Sequence, residues 1–295
     1  MLNVFILNKN TLKSDNNKIC ENISKICIDN GLNFKILMTE SIEELRNKIS
    51  YLKEKNLNDI VFYAVGGDGT FQSLVNEVDL TKTILQYLPF GTGNNSYRTF
   101  YNQVFDLKND ILSQQLFSAD LGKANEEYFV SMAGLGLDAK VGKNVEKFRK
   151  CLMPGKVKYY FSILNTLMTE RDPVKLKLSI DGNRMDNYFS LISIANGPTI
   201  GGRTPMAPDA TAFDGKLNAI ITNNLQLHQM ITLFSKIDEK GSHLKNENLV
   251  KEYLFENMNL ESQDALLYEL DGEIRYNKKV EISVCPKIMT LKGRH

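Results

Sequence analysis

The 295-residue sequence contains no tryptophan, only three histidines and four cysteines, and its 36 basic residues are offset by 35 acidic ones. Each shortage excludes something. His228, His243 and His295 are too few for a histidine-based site, and the last is read as a disordered end of the chain. Cys20, Cys27, Cys151 and Cys285 form no Cys-x-x-Cys pair and no metal-ligand cluster, so no metal site is expected on them. Cys20 and Cys27 fall instead on an apolar stripe with Ile19, Ile23 and Ile26, where a thiol acts as a small core hydrophobe. Reduced thiols suit a cytosolic protein. A net charge of +1 supplies no global field for nucleic acid, so no nucleic-acid partner is expected. No apolar run approaches the roughly 20 residues of a membrane-crossing helix. The segment MLNVFILNKN lacks the basic start and the apolar length of a signal peptide. A cytoplasmic location is therefore expected, with contact at a membrane surface left open.

What is present is ample apolar material, 42% of the chain, in a length comfortable for two domains. The first 120 residues alternate strand and helix. Val4 to Leu7 and Phe34 to Met38 read as strands, and Lys18 to Asn30 as a helix closed by Gly31. Ser41-Ile42-Glu43-Glu44 reads as a capping box, opening a helix expected to bury Ile42, Leu45, Ile49 and Leu52. Ile60 to Val65 is a buried strand, and Ile84 to Leu88 another. Repeated β–α units of this kind predict an open parallel sheet, with ligands at the carboxyl ends of its strands.

Two glycine loops fall at those ends. Gly66-Gly67-Asp68-Gly69-Thr70 follows one strand and precedes a helix read from Phe71 to Val78, and Pro89-Phe90-Gly91-Thr92-Gly93-Asn94-Asn95 follows the other. Glycines let the backbone turn tightly and present bare N–H groups at a helix N-terminus, where an anion is favoured. A carboxylate inside such a cradle makes sense only if it handles a metal ion or a proton. The alternative is a strand-to-helix turn that needs glycine for positive φ alone.

From about residue 120 the pattern becomes mainly β. Tyr128 to Met132, Val174 to Ile180, Asn187 to Ala195, Lys216 to Thr222, Leu266 to Leu270 and Val280 to Val284 read as strands, with helices near 142–168 and 225–240. Asp181-Gly182 and Asp271-Gly272 read as tight turns. The boundaries expected are 1–120 for the α/β domain, with 286–295 returning to it, and 121–285 for the β domain. Ala133-Gly134-Leu135-Gly136-Leu137-Asp138-Ala139 reads as a loop able to close over a ligand, and Ala195 to Ala210 as a long functional loop. Lys140, Lys143, Lys147, Arg149, Lys150, Lys156 and Lys158 stand against one acid, Glu146, and run into the apolar Tyr159, Tyr160, Phe161, Ile163, Leu164 and Leu167. This is either a solvated lysine face or a surface that meets anionic membrane.

The ordered series GGDGT, PFGTGN, GLGLDA, ANG…GG…APDA…DGKL, GSH and DGE resembles the soluble diacylglycerol kinase family, which includes sphingosine and ceramide kinases and bacterial lipid kinases. The resemblance implies an α/β plus mainly β fold: an open parallel α/β nucleotide domain like that of NAD kinase, a C-terminal β-sandwich, and ATP in the cleft between them. It implies transfer of the γ-phosphoryl of ATP to a lipid hydroxyl with Mg²⁺. On that resemblance Gly66, Gly67, Asp68, Gly69, Thr70, Phe71 and Gln72 cradle the ATP phosphates with Gly91, Thr92, Gly93 and Asn94, and Thr39 is a further nucleotide contact. Glu273 falls at the family's general base, Asp68 at its essential acid, and Asp271 beside the base. Asp214 matches a metal carboxylate, joined by the carbonyls of Thr211 and Lys216. The partner implied is a lipid at a membrane surface, with peripheral contact through 140–158, and a homodimer is admitted.

Three positions depart from the family pattern. Lys9-Asn10-Thr11-Leu12 replaces Pro-x-Ser-Gly, Gln72-Ser73 replaces Asn-Glu, and Asn95 replaces an Asp. Two rivals stay open: a silent nucleotide or lipid sensor of the same fold, and an NAD kinase. A Rossmann dehydrogenase fits less well, because neither loop has GxGxxG spacing.

Overall fold

The computed structural model describes residues 1–9, 16–54, 60–101, 103–147, 155–200, 204–238 and 240–294. Asn10, Thr11, Leu12, Arg149, Lys150, Cys151, Gly201, Gly202, Arg203 and His295 lie outside them. So do the side chains of Glu146, Lys156, Lys158, Tyr159 and Tyr160. The chain divides into two units, Met1–Ala119 with Lys287–His295, and Asp120–Pro286.

In the first unit β1 (Leu2–Asn8), β2 (Phe34–Thr39), β3 (Ile60–Gly66) and β4 (Ile84–Pro89) form a parallel sheet ordered β2-β1-β3-β4. Their near-continuous apolar runs suit a parallel sheet covered on both faces. Helices α1 (Asn16–Asp29), α2 (Ile42–Glu54), α3 (Asp68–Glu77), α4 (Asn95–Phe100) and α5 (Leu107–Leu112) follow the strands. α1 lays Ile19, Ile23 and Cys27 into the cluster formed by Phe5, Leu7, Tyr63 and Val65. The capping box closes one residue early: Glu44 N–H reaches Ser41 Oγ at 3.2 Å, but the Glu44 carboxylate takes the Glu40 amide. Ile42 is 54% exposed, against expectation, while Leu45, Ile49 and Leu52 are buried. Helical side chains lean back over the preceding turn, and the first residue of a helix has none beneath it.

In the second unit β5 (Leu116–Ala124), which starts in the first, is followed by β6 (Glu127–Phe129), β7 (Met132–Gly136), α6 (Leu137–Lys147) and α7 (Gly155–Thr169). β8 (Val174–Ile180), β9 (Asn183–Ala195), β10 (Leu217–Asn223), α8 (Leu227–Phe234), β11 (Lys251–Phe255), β12 (Asn257–Leu270) and β13 (Glu273–Lys292) complete it. Pairing here is antiparallel. β9 pairs with β8 along its first half and with β7 and β10 along its second; β12 pairs with β8 and then with β7. One face packs Leu176, Phe189, Ile192, Ile194, Phe255 and Tyr268 into a sandwich core, and the other packs Met132, Leu191 and Ile220 with residues of α6, α7 and α8. β13 ends in the first unit, where Thr290 and Leu291 pair with Ile84 and Leu85 of β4. Among the described residues no helix is long and apolar enough to cross a membrane.

Several elements differ from the sequence reading. The strand expected over Tyr128 to Met132 breaks at Val130-Ser131, because the Asp271 carboxylate takes the amides of Val130, Ser131 and Met132. The Ala133–Ala139 segment is not a loop: it is the end of β7 and the start of α6, and only Gly136 there has positive φ, at 67°. The helical stretch near 142–168 is two helices, and β11 was not anticipated.

Candidate functional site

The carboxyl ends of β1 to β4 lie together, as the register pairs Asn8 with Thr39 and Gly66 with Pro89. β1 lies between β2 and β3, so the chain reverses its direction across the sheet there, the usual place for a ligand on such a sheet. Thr39 ends β2 with its hydroxyl donating to Leu7 O at 3.4 Å, buried.

α3 begins at Asp68, three residues before the expected start, with Gly67 as its N-cap and no side chain capping it. Asp68, Gly69 and Thr70 are therefore its first turn, where N–H groups run short of helical carbonyl partners, although Thr70 N–H turns back to Gly67 O at 3.0 Å. The two glycine loops touch. Phe90 N–H donates to Gly66 O at 2.9 Å, and a Cβ on Gly91 would strike the Gly67 backbone. Asp68 crosses between them, its Oδ1 accepting the Ser96 amide at 2.8 Å. Its Oδ2 lies 2.9 Å from where a Cβ on Gly93 would stand, so that carboxylate occupies the space the glycine leaves. Asn94 has left-handed φ of 55°, and its amide donates to Gly91 O at 2.9 Å and Pro89 O at 3.2 Å. Arg98 donates to Gly93 O at 2.8 Å. Burial, and then the negative Asp68, push the Tyr87 phenol far above its ordinary range.

Not every candidate side chain faces this cradle. Phe71 is fully buried, stacked on Tyr87 with centroids 5.0 Å apart, so only its main chain could reach a ligand. Gln72 and Thr70 are buried, and Thr92 is exposed on the second loop. Ser96, Arg98 and Tyr87 escaped the sequence reading. Arg98, a cation just beyond a glycine loop, was the available signal.

In the second unit, Asp271 (φ 48°) and Gly272 (φ 94°) make the turn between β12 and β13, with Leu270 paired to Glu273. Asp271 is occupied: its oxygens accept Val130 N–H at 2.6 Å, Ser131 N–H at 2.8 Å and Met132 N–H at 3.0 Å. Glu273 is free of such ties, its side chain 63% exposed and 3.9 Å from Arg275, which itself grips Glu127 in a forked pair at 2.9 Å. Asp214 is exposed and accepts the Lys216 amide at 3.0 Å. The loop that holds it curls around the fully buried Asp120: Gly215 N–H donates to Asp120 Oδ2 at 2.7 Å, and Asp120 N–H to Ala212 O at 2.8 Å. The buried Asn196 holds Asp120 O at 3.0 Å and Val130 O at 2.9 Å. Asp120 and Asn196 were not singled out individually. Among the described residues no three His, Cys, Asp or Glu side chains gather as a metal cluster. Asp214 with the Thr211 and Lys216 carbonyls is an all-oxygen set, the kind Mg²⁺ accepts while keeping most of its waters.

Glycine turns at the carboxyl ends of parallel strands, tied by a carboxylate, mark the α/β unit, an arrangement suited to an anion, and the second unit is β-sandwich-like. The diacylglycerol kinase catalytic domain matches residues 3–124, and the YegS C-terminal NAD kinase beta sandwich-like domain matches residues 131–293. A Staphylococcus haemolyticus protein named "Putative lipid kinase" is 32% identical over 238 residues, covering 79% of this chain and 76% of that one. A Staphylococcus epidermidis protein of the same description is 28% identical over 285 residues, 93% of this chain and 89% of its own. A Bacillus anthracis structure described as a diacylglycerol kinase shares the fold with a TM-score of 0.77 at 21% identity, covering 99% of this chain and 96% of that one. The chain belongs to the lipid kinase family defined by the diacylglycerol kinase catalytic domain.

Proposed function

We propose that this protein transfers the γ-phosphoryl of ATP to a lipid hydroxyl, with diacylglycerol or a similar lipid as acceptor. The observation that carries the reading is Asp68 joining two glycine loops at the carboxyl ends of parallel strands. First-turn amides of α3 and the main chain of Gly66, Gly67, Gly91 and Gly93 are suited to phosphate oxygens. Arg98 braces the second loop.

Glu273 is the general base. An alcohol becomes a competent nucleophile when a carboxylate accepts its proton as the new P–O bond forms. An exposed glutamate with no amide ties can accept one, whereas Asp271, with three amides on its oxygens, acts by holding the turn that presents Glu273. Mg²⁺ held by Asp214 and the carbonyls of Thr211 and Lys216 would supply charge neutralisation for the phosphates.

The lipid is met at a membrane surface through α7. Val157, Phe161, Leu164 and Met168 are 45–60% exposed at spacings of four, three and four, a single apolar stripe on one helix face. A stripe of that kind suits the headgroup–acyl boundary of a bilayer. On this reading the protein is cytoplasmic and peripherally bound.

The test is ATP consumption with Mg²⁺ against hydroxyl lipids in mixed micelles, beside NAD⁺ as acceptor. Turnover that requires a lipid supports the reading. Turnover with NAD⁺ alone makes the chain an NAD kinase, and ATP binding without turnover on any acceptor makes it a sensor.

A further inference from the structure

The second unit buries two acids on one face of a sheet. β9, β7 and β12 run side by side, and their registers place Ser193, Gly134 and Glu269 in one row. Residues directly opposite on antiparallel strands share a face, so Ser193 and Glu269 flank Gly134. Above the glycine sits Asp138, from the first turn of α6, with its Oδ2 2.7 Å from where a Cβ on Gly134 would stand. From the sheet side the Glu269 carboxyl presses on α6 at Gly142, where a Cβ would strike Glu269 Oε2. Both glycines are thus required by carboxyl groups lodged between helix and sheet.

These acids are almost wholly enclosed, at 6% exposure for Asp138 and 5% for Glu269, and Ser193 is fully buried. No described lysine or arginine is paired with either. On α6, Lys140 donates to Asp172 O at 2.8 Å. Asn144 links the same helix to Thr166 of α7 and to Glu170. β7 contributes no titratable group, β9 contributes Ser193, and the turn after β12 adds a further negative charge, Asp271. Two ionised carboxylates with no cation cannot stay enclosed in such a place.

We infer that Asp138 and Glu269 share one proton at neutral pH, a carboxyl donating to its neighbour's carboxylate, and that this proton fastens α6 to the sheet. When the pH rises, the proton leaves to solvent, two negative charges face each other, and the helix loosens. Burial pushes the Asp138 carboxyl up to about 7, with the Ser193 hydroxyl opposing. Burial, then the charges of Asp138 and Asp271, raises Glu269 well above its ordinary range. The sign follows from linkage. For each acid, a folded-state value above the unfolded one gives stability that is complete below the unfolded value, about 4, and is lost as pH climbs, through about 7 for Asp138 and through its own raised value for Glu269.

The experiment is thermal unfolding of the full chain between about pH 5 and about pH 8.5, for the wild type and Glu269→Gln. Glutamine keeps the shape and can donate to Asp138, and it removes the Glu269 titration while leaving that of Asp138 in place. The wild-type Tm is expected to fall by on the order of 5 °C more than that of the variant across this range. Equal slopes overturn the inference. So does a wild type stabilised at high pH by added K⁺ or Mg²⁺, which would mean that the pair takes a metal cation. Should the variant fail to fold, infrared spectroscopy of the wild type decides. A carbonyl stretch of an enclosed un-ionised carboxyl at neutral pH, vanishing as pH is raised, supports the shared proton, and its absence contradicts it.

Discussion

Asp68 Oδ1 accepts the Ser96 amide at 2.8 Å, so a carboxylate at the start of one helix fastens the loop that begins the next. That bond links two stretches 28 residues apart in sequence at the place where phosphates would sit. Replacing Asp68 by Ala takes the Oδ1 acceptor away from the amide of the fully buried Ser96. A loss of about 1–3 kcal/mol in unfolding free energy is expected. Asp68→Asn keeps an acceptor oxygen, so it should regain most of the stability but little of the turnover. Chemical denaturation and ATP consumption on both variants separate the two roles.

Gly91→Ala tests the contact of the loops. Its methyl group would collide with the Gly67 backbone, which cannot give way as a flexible side chain could. Overpacking of this sort costs about 1–3 kcal/mol. Because the strain falls on the proposed phosphate cradle, the expected signature is weaker ATP binding by calorimetry together with a lower Tm.

Asp271→Ala removes the acceptor for three amides at once. The loss in stability should exceed that of Asp68→Ala, at roughly 3 kcal/mol or more. Asp271→Asn offers a single acceptor oxygen and should fall between. If Asp271 positions Glu273 and does not itself take a proton, Asp271→Asn lowers kcat with the pH profile of kcat unmoved. A shifted profile would give Asp271 a share in the chemistry.

Phe161→Ser with Leu164→Ser addresses the membrane. Both side chains are about half exposed, so the fold should be indifferent to them. Binding to vesicles containing anionic lipid is expected to weaken by about tenfold, near 1.4 kcal/mol. ATP binding in the absence of lipid should stay unchanged. Unaltered vesicle binding would remove α7 from the interface.

The first unit was legible because its signals are local. Runs such as Ile60–Val65 are consecutive and the stripe of Ile19, Ile23 and Cys27 recurs every four residues, and they became β3 and α1. The second unit hid more, since its decisive contacts join distant residues. Val130 and Ser131 read as mid-strand until Asp271, some 140 residues on, takes their amides. Gly134 suggested a loop, yet it is glycine because the Asp138 carboxyl fills the space beside it. Ile42 shows the limit of periodicity, which marks a face without saying where that face stops being covered. At the cradle, the glycines and Asp68 stand out in the sequence. Ser96 enters through its main-chain N–H, for which a sequence carries no mark.

The most direct measurement is lipid-dependent ATP turnover of Glu273→Gln beside the wild type, with ATP affinity measured on both. The side chain is largely exposed, so the substitution should leave the fold intact. Turnover is expected to fall by about 10²-fold or more, as loss of a general base requires, with ATP affinity unchanged within about twofold. A variant that phosphorylates lipid at the wild-type rate would contradict the assignment of Glu273 as the base and with it the proposed mechanism.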